Sequence, residues 1–155
     1  MKYKFHSIEK KKYKNDTIAY LFVLLGIVFN CFAFIKLYEE NGQFFYDYRM
    51  AFSVLFNLIF MLAVFLTAEN VKKYHRKYAV VAIVIGVLQF LRIFEYVKDA
   101  YTANAIAKNI YTYIVIFYGL SGLSLIIGGI TGFINSTILK RFVDGKLEFI
   151  EEEEE

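Results

Sequence analysis

The stretch NIYTYIVIFYGLSGLSLIIGGITGFINSTIL, residues 109–139, decides the fold. It runs for 31 residues without an Asp, Glu, Lys, Arg or His. A hydrocarbon core ~30 Å thick is crossed by about 20 apolar residues of helix at ~1.5 Å per residue. As one helix the run is ~46 Å long, so it must tilt or project one end into headgroups or water.

Two more runs of 19 residues, 17–35 and 50–68, also lack charge. A shorter one, 78–91, reaches spanning length only by taking in residues 92–96. The chain of 155 residues, one domain's worth, is 58% apolar and 21% charged. Soluble domains average about 45–50% apolar, so the distribution decides more than the mean does. The expected fold is an all-α membrane protein with four transmembrane helices, at about 17–37, 48–68, 78–97 and 111–135, in an antiparallel up-down bundle. A basic segment, 1–16, precedes the four-span domain, 17–139, and a segment with an acidic end, 140–155, follows it. This excludes a soluble enzyme and a nucleic-acid-binding module. The first span follows a lysine-rich start, yet it is longer than the ~7–15 apolar residues of a secretory signal, and no small-x-small cleavage pattern follows. It reads as a retained helix.

Cations set the orientation. The N-terminal segment holds Lys2, Lys4, Lys10, Lys11, Lys12 and Lys14. The link between spans two and three holds Lys72, Lys73, Arg76 and Lys77, and the C-terminal segment adds Lys140, Arg141 and Lys146. That puts thirteen on one side against five, Lys36, Arg49, Arg92, Lys98 and Lys108, on the other. The positive-inside rule then places both termini in the cytoplasm, which suits an even number of spans. The expected location is the cell membrane of a bacterium. Most of the 13 tyrosines fall near span ends, and without Trp they carry the interfacial belt alone.

Ionisable groups inside a span mark candidate functional sites because they are costly there. The charge-free runs of spans one, two and four have none, whereas span three takes in Arg92 and Glu95, with Gln89 one turn earlier. On a regular helix Gln89, Arg92 and Tyr96 share a face and Glu95 sits beside Arg92. Starting from Tyr78, Arg92 lies ~21 Å along the helix, near the outer boundary. The expectation is a polar outer-leaflet cluster of Gln89, Arg92 and Glu95 with the arginine snorkelling to the headgroups; the alternative is a polar contact with a partner or substrate. The neutral polar residues Asn30, Asn57 and Gln89 lie within spans one, two and three, where interhelical hydrogen bonds inside the bundle are expected.

Span four carries a small-residue pattern. Ser124, Gly128 and Gly132 recur every four residues, and Gly122 and Gly129 widen the surface. Such a stripe lets another helix backbone approach closely. It serves either the chain's own bundle or a helix-packing interface with another chain, since it covers more than one face.

No catalytic motif stands out: the sequence lacks Gly-x-Ser-x-Gly, His-Glu-x-x-His and a glycine-rich phosphate loop. Cys31, the single cysteine, excludes an internal disulfide and a multi-cysteine metal site. It reads as a small apolar residue in a packed helix. No cofactor or metal is expected. Residues 1–16 carry net +4 and residues 140–155 net −4. The basic segment attracts anionic lipid. The acidic end is a solvated tail or a tether for a basic partner. The leading functional expectation is a non-enzymatic accessory or structural subunit, bound by helix packing to other membrane-protein subunits, such as those of a transporter, or to itself. The alternative is a small oligomeric transporter or lipid flippase.

Overall fold

The structure, a computed structural model, describes residues 3–4, 15–40, 48–102, 107–144 and 149–150. The expected outer turn around Gly42, most of the basic segment and the acidic run 151–155 lie outside these residues. The order is β1 (Tyr3–Lys4), α1 (Thr17–Glu40), α2 (Tyr48–Lys72), α3 (Arg76–Arg92), a π-helical turn (Ile93–Val97), α4 (Lys98–Thr102), α5 (Lys108–Val143) and β2 (Phe149–Ile150). The absence of proline leaves these helices uninterrupted by missing backbone donors. Helices α1, α2 and α5, of 24, 25 and 36 residues, are long and apolar enough to cross a membrane. As a regular α-helix, α3 has only 17 residues; the π turn and α4 continue it without a break.

Side-chain size and polarity determine which face of each helix is covered. On α1 the buried residues are Ala19, Val23, Gly26, Asn30, Ala33 and Leu37, alternating steps of four and three. That 3.5-residue period is the seam of left-handed helix packing. On α3 the buried residues Ala79, Ala82, Gly86 and Gln89, with Ile93 at the start of the π turn, follow the same rule. The alternation next calls for residue 96, but the π turn holds one extra residue and brings Val97 inward. The expectation of one regular face running to Tyr96 is therefore corrected: the helix register changes directly after Arg92. Facing outward are large apolar side chains such as Leu25, Phe52, Leu62, Val84, Leu91 and Ile134, all at least 40% exposed. Water would not tolerate such a continuous surface; lipid does, and the chain is a helical integral membrane protein.

Helix α5 packs most extensively against α1 and α3, while α2 lies across α1 and α3 and barely touches α5. The contacts are made by glycines. A Cβ on Gly128 would stand 2.8 Å from Val23 Cγ2 and 3.0 Å from the Ala19 carbonyl oxygen. One on Gly129 would meet Ile83 at 2.6 Å and the Ala79 carbonyl at 2.8 Å. One on Gly122 would reach Phe90 at 2.8 Å and the Gly86 carbonyl at 3.0 Å, and one on Gly132 would reach Val71 at 2.7 Å. Adjacent glycines thus serve opposite neighbours, α1 on one side of α5 and α3 on the other. The part of this surface expected to remain for another chain is not left free: Gly122, Ser124, Gly128, Gly129 and Gly132 are all buried within the chain's own bundle.

Gly119, by contrast, has open space around the position of its missing Cβ. Gly129→Ala should cost about 1–3 kcal/mol, because the new carbon collides with backbone. Gly119→Ala should be neutral or gain about 0.5–1 kcal/mol from reduced backbone entropy. Unfolding of both variants in bicelles checks this; equal effects would contradict the packing.

Candidate functional site

Two polar layers sit inside the bundle. In the first, Gln89 Nε2 on α3 donates to Asn30 Oδ1 on α1 at 2.8 Å and to Ser121 Oγ on α5 at 3.1 Å. Ser121 Oγ in turn donates to the Gly26 carbonyl at 2.7 Å. Gln89, Asn30 and Ser121 are each 0% exposed. The missing side chain at Gly26 is what lets Ser121 reach that carbonyl, since a Cβ there would press on Leu125. One glutamine thereby links three helices.

The second layer belongs to Arg92. Its Nη2 donates to Asn57 Oδ1 on α2 at 3.0 Å. Its Cζ lies 5.2 Å from the Tyr118 ring centroid on α5, and 5.4 and 5.7 Å from the Phe60 and Phe56 rings on α2. Counted from the facing ends of their helices, Arg92 stands ~24 Å above Arg76 and Asn57 ~22 Å above Lys72, so the two are at nearly equal depth. The expected snorkelling is therefore corrected: the side chain runs across the bundle, not outward along α3. Aromatic faces and an amide carbonyl replace headgroups as the cation's environment. Gln89 and Arg92, expected in one cluster, have separate partners on different helices. The side chain of Glu95, the third expected member, lies outside the described residues.

These layers leave hydrogen-bonding capacity over. Asn30 Nδ2, Gln89 Oε1 and Arg92 Nη1 are buried and have no hydrogen-bond partner among the described residues. The π turn begins at the next residue, Ile93. Such turns recur at functional sites, so the surroundings of Gln89 and Arg92 form the candidate site. Cys31 meets its expectation of helix packing: its Sγ lies 3.1 Å from Met61 Sδ on α2.

At the opposite end of the bundle is a residue that the pattern of apolar runs hid. Asp16, 5% exposed, caps α1 by accepting from the Ala19 N–H at 3.2 Å. Its other carboxylate oxygen accepts from Asn135 Nδ2 on α5 at 2.9 Å, and its own N–H donates to the Lys72 carbonyl at the end of α2 at 2.9 Å. One aspartate so fixes the ends of three helices. An Asp placed immediately before an apolar run is a helix-start signal, and it was available in the sequence. Around it Lys72 Nζ sits 4.7 Å over the Tyr20 ring and the Arg76 guanidinium 4.4 Å over the Phe133 ring. Tyr74, which closes α2 in the left-handed region with φ 61°, has its phenol held above its usual range by burial and then by the negative Asp16. Among the described residues no group of three or more His, Cys, Asp or Glu is arranged to hold a metal.

Comparison with protein-family models, with curated proteins and with solved structures finds no match. The functional reading therefore rests on geometry.

A double-mutant cycle on Asn30→Ala and Gln89→Ala should give a coupling of about 0.6 kcal/mol, the average for interhelical hydrogen bonds in a membrane. Asp16→Ala should cost about 0.5–2 kcal/mol through the lost cap. Reversible unfolding in bicelles measures both; strict additivity in the cycle would contradict the Gln89 linkage.

Proposed function

We propose that the chain is a four-span, non-enzymatic structural or accessory subunit of a larger membrane assembly, with both termini in the cytoplasm. The observation that carries this reading is the commitment of Gln89, Asn30 and Ser121 to one another across three helices. They occupy the middle of the bundle, where a transport path would run. A glycine-fitted interior of this kind suits a rigid body that docks, not one that opens. Because α5 spends its small residues inside the chain, contact with a partner helix runs through another surface. The exposed face of α2, with Leu55, Leu58, Ile59, Leu62 and Leu66 at helical spacing, is the candidate.

The topology has its own support. Gly128 approaches Ala19 and Val23 while Gly26 approaches Ser121 and Leu125, an order that supports an antiparallel pairing of α1 with α5. The same opposed order holds between α3 and α5, through Gly86 with Gly122 and Gly129 with Ala79. The π turn and α4 extend α3 to spanning length, making the fourth span.

A second reading, a small transporter or lipid flippase, is favoured by one feature: the unfilled hydrogen-bonding capacity of Asn30, Gln89 and Arg92 beside the π turn. Flux through reconstituted vesicles that is lost on Arg92→Ala would replace the first reading with this one.

The leading reading expects a stoichiometric membrane partner on purification in mild detergent. Leu55→Ala with Leu62→Ala should release it without lowering thermal stability. Recovery of only a monodisperse monomer would contradict the proposal. For orientation, an export-dependent reporter should be silent after Glu155 and active when inserted at Gly42; the reverse pattern would overturn the cation count.

A further inference from the structure

The end of the bundle that holds Asp16 is ringed by cations. Lys72 ends α2 and Lys73 follows it, Arg76 and Lys77 open α3, and Lys140 and Arg141 stand in the last turn of α5. The carboxylates here among the described residues are Asp16, Glu69 and Asp144. Asp16 is committed to the Ala19 N–H and to Asn135. Glu69 pairs with Lys72 at 3.9 Å on the α1–α2 side, where Lys72 also rests over the Tyr20 ring. That is the one ion pair among the described residues, so the cations of α3 and α5 have no carboxylate of their own there.

These cations frame the mouth of a groove between α3 and α5. The Arg76 guanidinium carbon lies 4.4 Å over the Phe133 ring, on the α5 side of α3. Lys140 follows Phe133 by two turns, on the same face and ~10 Å further along. Side chains on a helix lean toward its N-terminus. Arg76 is at the start of α3 and Lys140 near the end of α5, so with the two helices opposed they lean toward each other. The gap that remains suits one phosphate, which accepts from cations at about 2.8 Å on each side. Beyond this mouth the groove is apolar. Val80 and Val87, on the Arg76 face of α3, are 44% and 48% exposed, and Ile130, one turn from Phe133 on α5, is 46% exposed. A free anion gains nothing from such a surface; an acyl chain does.

We propose that this groove binds one anionic phospholipid, with its phosphate between Arg76 and Lys140 and an acyl chain along Val80, Val87 and Ile130. Basic pockets between membrane helices recognise anionic headgroups in this way. Lys77 and Arg141, next in sequence to the two phosphate-binding cations, disfavour a choline headgroup, whose own positive charge they repel. The inference goes beyond the subunit reading and is independent of it. With both termini in the cytoplasm the lipid belongs to the cytoplasmic leaflet, but binding itself does not depend on that orientation.

The sequence contains no Trp, so a single introduced Trp reports on the lipid beside it. The full chain carrying Val80→Trp is placed in phosphatidylcholine nanodiscs with a minor share of brominated phosphatidylglycerol, or the same share of brominated phosphatidylcholine. Bromine quenches a Trp that it touches, so the ratio of the two quenching levels gives the local preference for the anionic lipid. Leu66→Trp, exposed on α2 less than two turns before Lys72, reports the attraction of the basic end as a whole. The preference at Val80→Trp should exceed that at Leu66→Trp by at least about fivefold, the contribution of one basic residue near an anionic headgroup. Arg76→Gln with Lys140→Gln should lower it to the Leu66→Trp level, and Lys140→Gln alone, at an exposed position, should already reduce it. Lys72→Gln with Lys73→Gln removes the same charge and should leave it unchanged. Equal preference at Val80→Trp and Leu66→Trp would overturn the site and leave only diffuse attraction. A preference that survives the Arg76 and Lys140 changes, or falls equally with those at Lys72 and Lys73, would overturn its assignment to this groove.

Discussion

The α5 backbone comes so close to those of α1 and α3 that the other contacts of the bundle follow from it. Gly128 and Gly129 are consecutive residues with carbonyls of different helices 3.0 and 2.8 Å from where their Cβ atoms would be. That spacing exists only because the two residues lack side chains. Lipid tails are as apolar as leucine, so burial from water does not hold these helices together; close packing and interhelical hydrogen bonds do. The same approach draws Ser121 within 2.7 Å of the Gly26 carbonyl and sets Gln89 between α1 and α5. Polar linkage thus follows from small-residue packing.

Much of the fold was legible in the sequence for a simple physical reason. A membrane span needs length and apolarity, and the charge-free runs advertise both. The structured bounds of α1 and α2 begin where those readings began, at Thr17 and Tyr48. The orientation of each helix was less legible. In a soluble protein the outer face is polar and declares itself; here both lipid and interior are apolar, and only small or polar residues separate the two. Asn30, Asn57 and Gln89 were therefore recognisable as bundle-facing positions. The glycines of α5 were recognisable as a packing surface, but their spacing carries no record of whose helix lies against them.

The remaining differences have local causes. The residue spacing implies a regular helix through Arg92–Tyr96, but a π turn intervenes there and brings Val97 inward. Depth alone points Arg92 to the headgroups. The choice between outward and inward depended on Phe56, Phe60, Asn57 and Tyr118, residues of two other helices far away in sequence. Asp16 belongs by charge to the segment 1–16, but its position before an apolar run marks a cap.

The glycine surface of α5 is used within one chain. Solid-state NMR on protein in lipid measures this directly, by contacts from Gly128 Cα to Ala19 and Val23. With labelled chains diluted into an excess of unlabelled ones, those contacts should persist at full intensity per labelled chain. Contacts that vanish on dilution, and return only between differently labelled chains, would place the glycine surface at an interface between molecules and contradict the account.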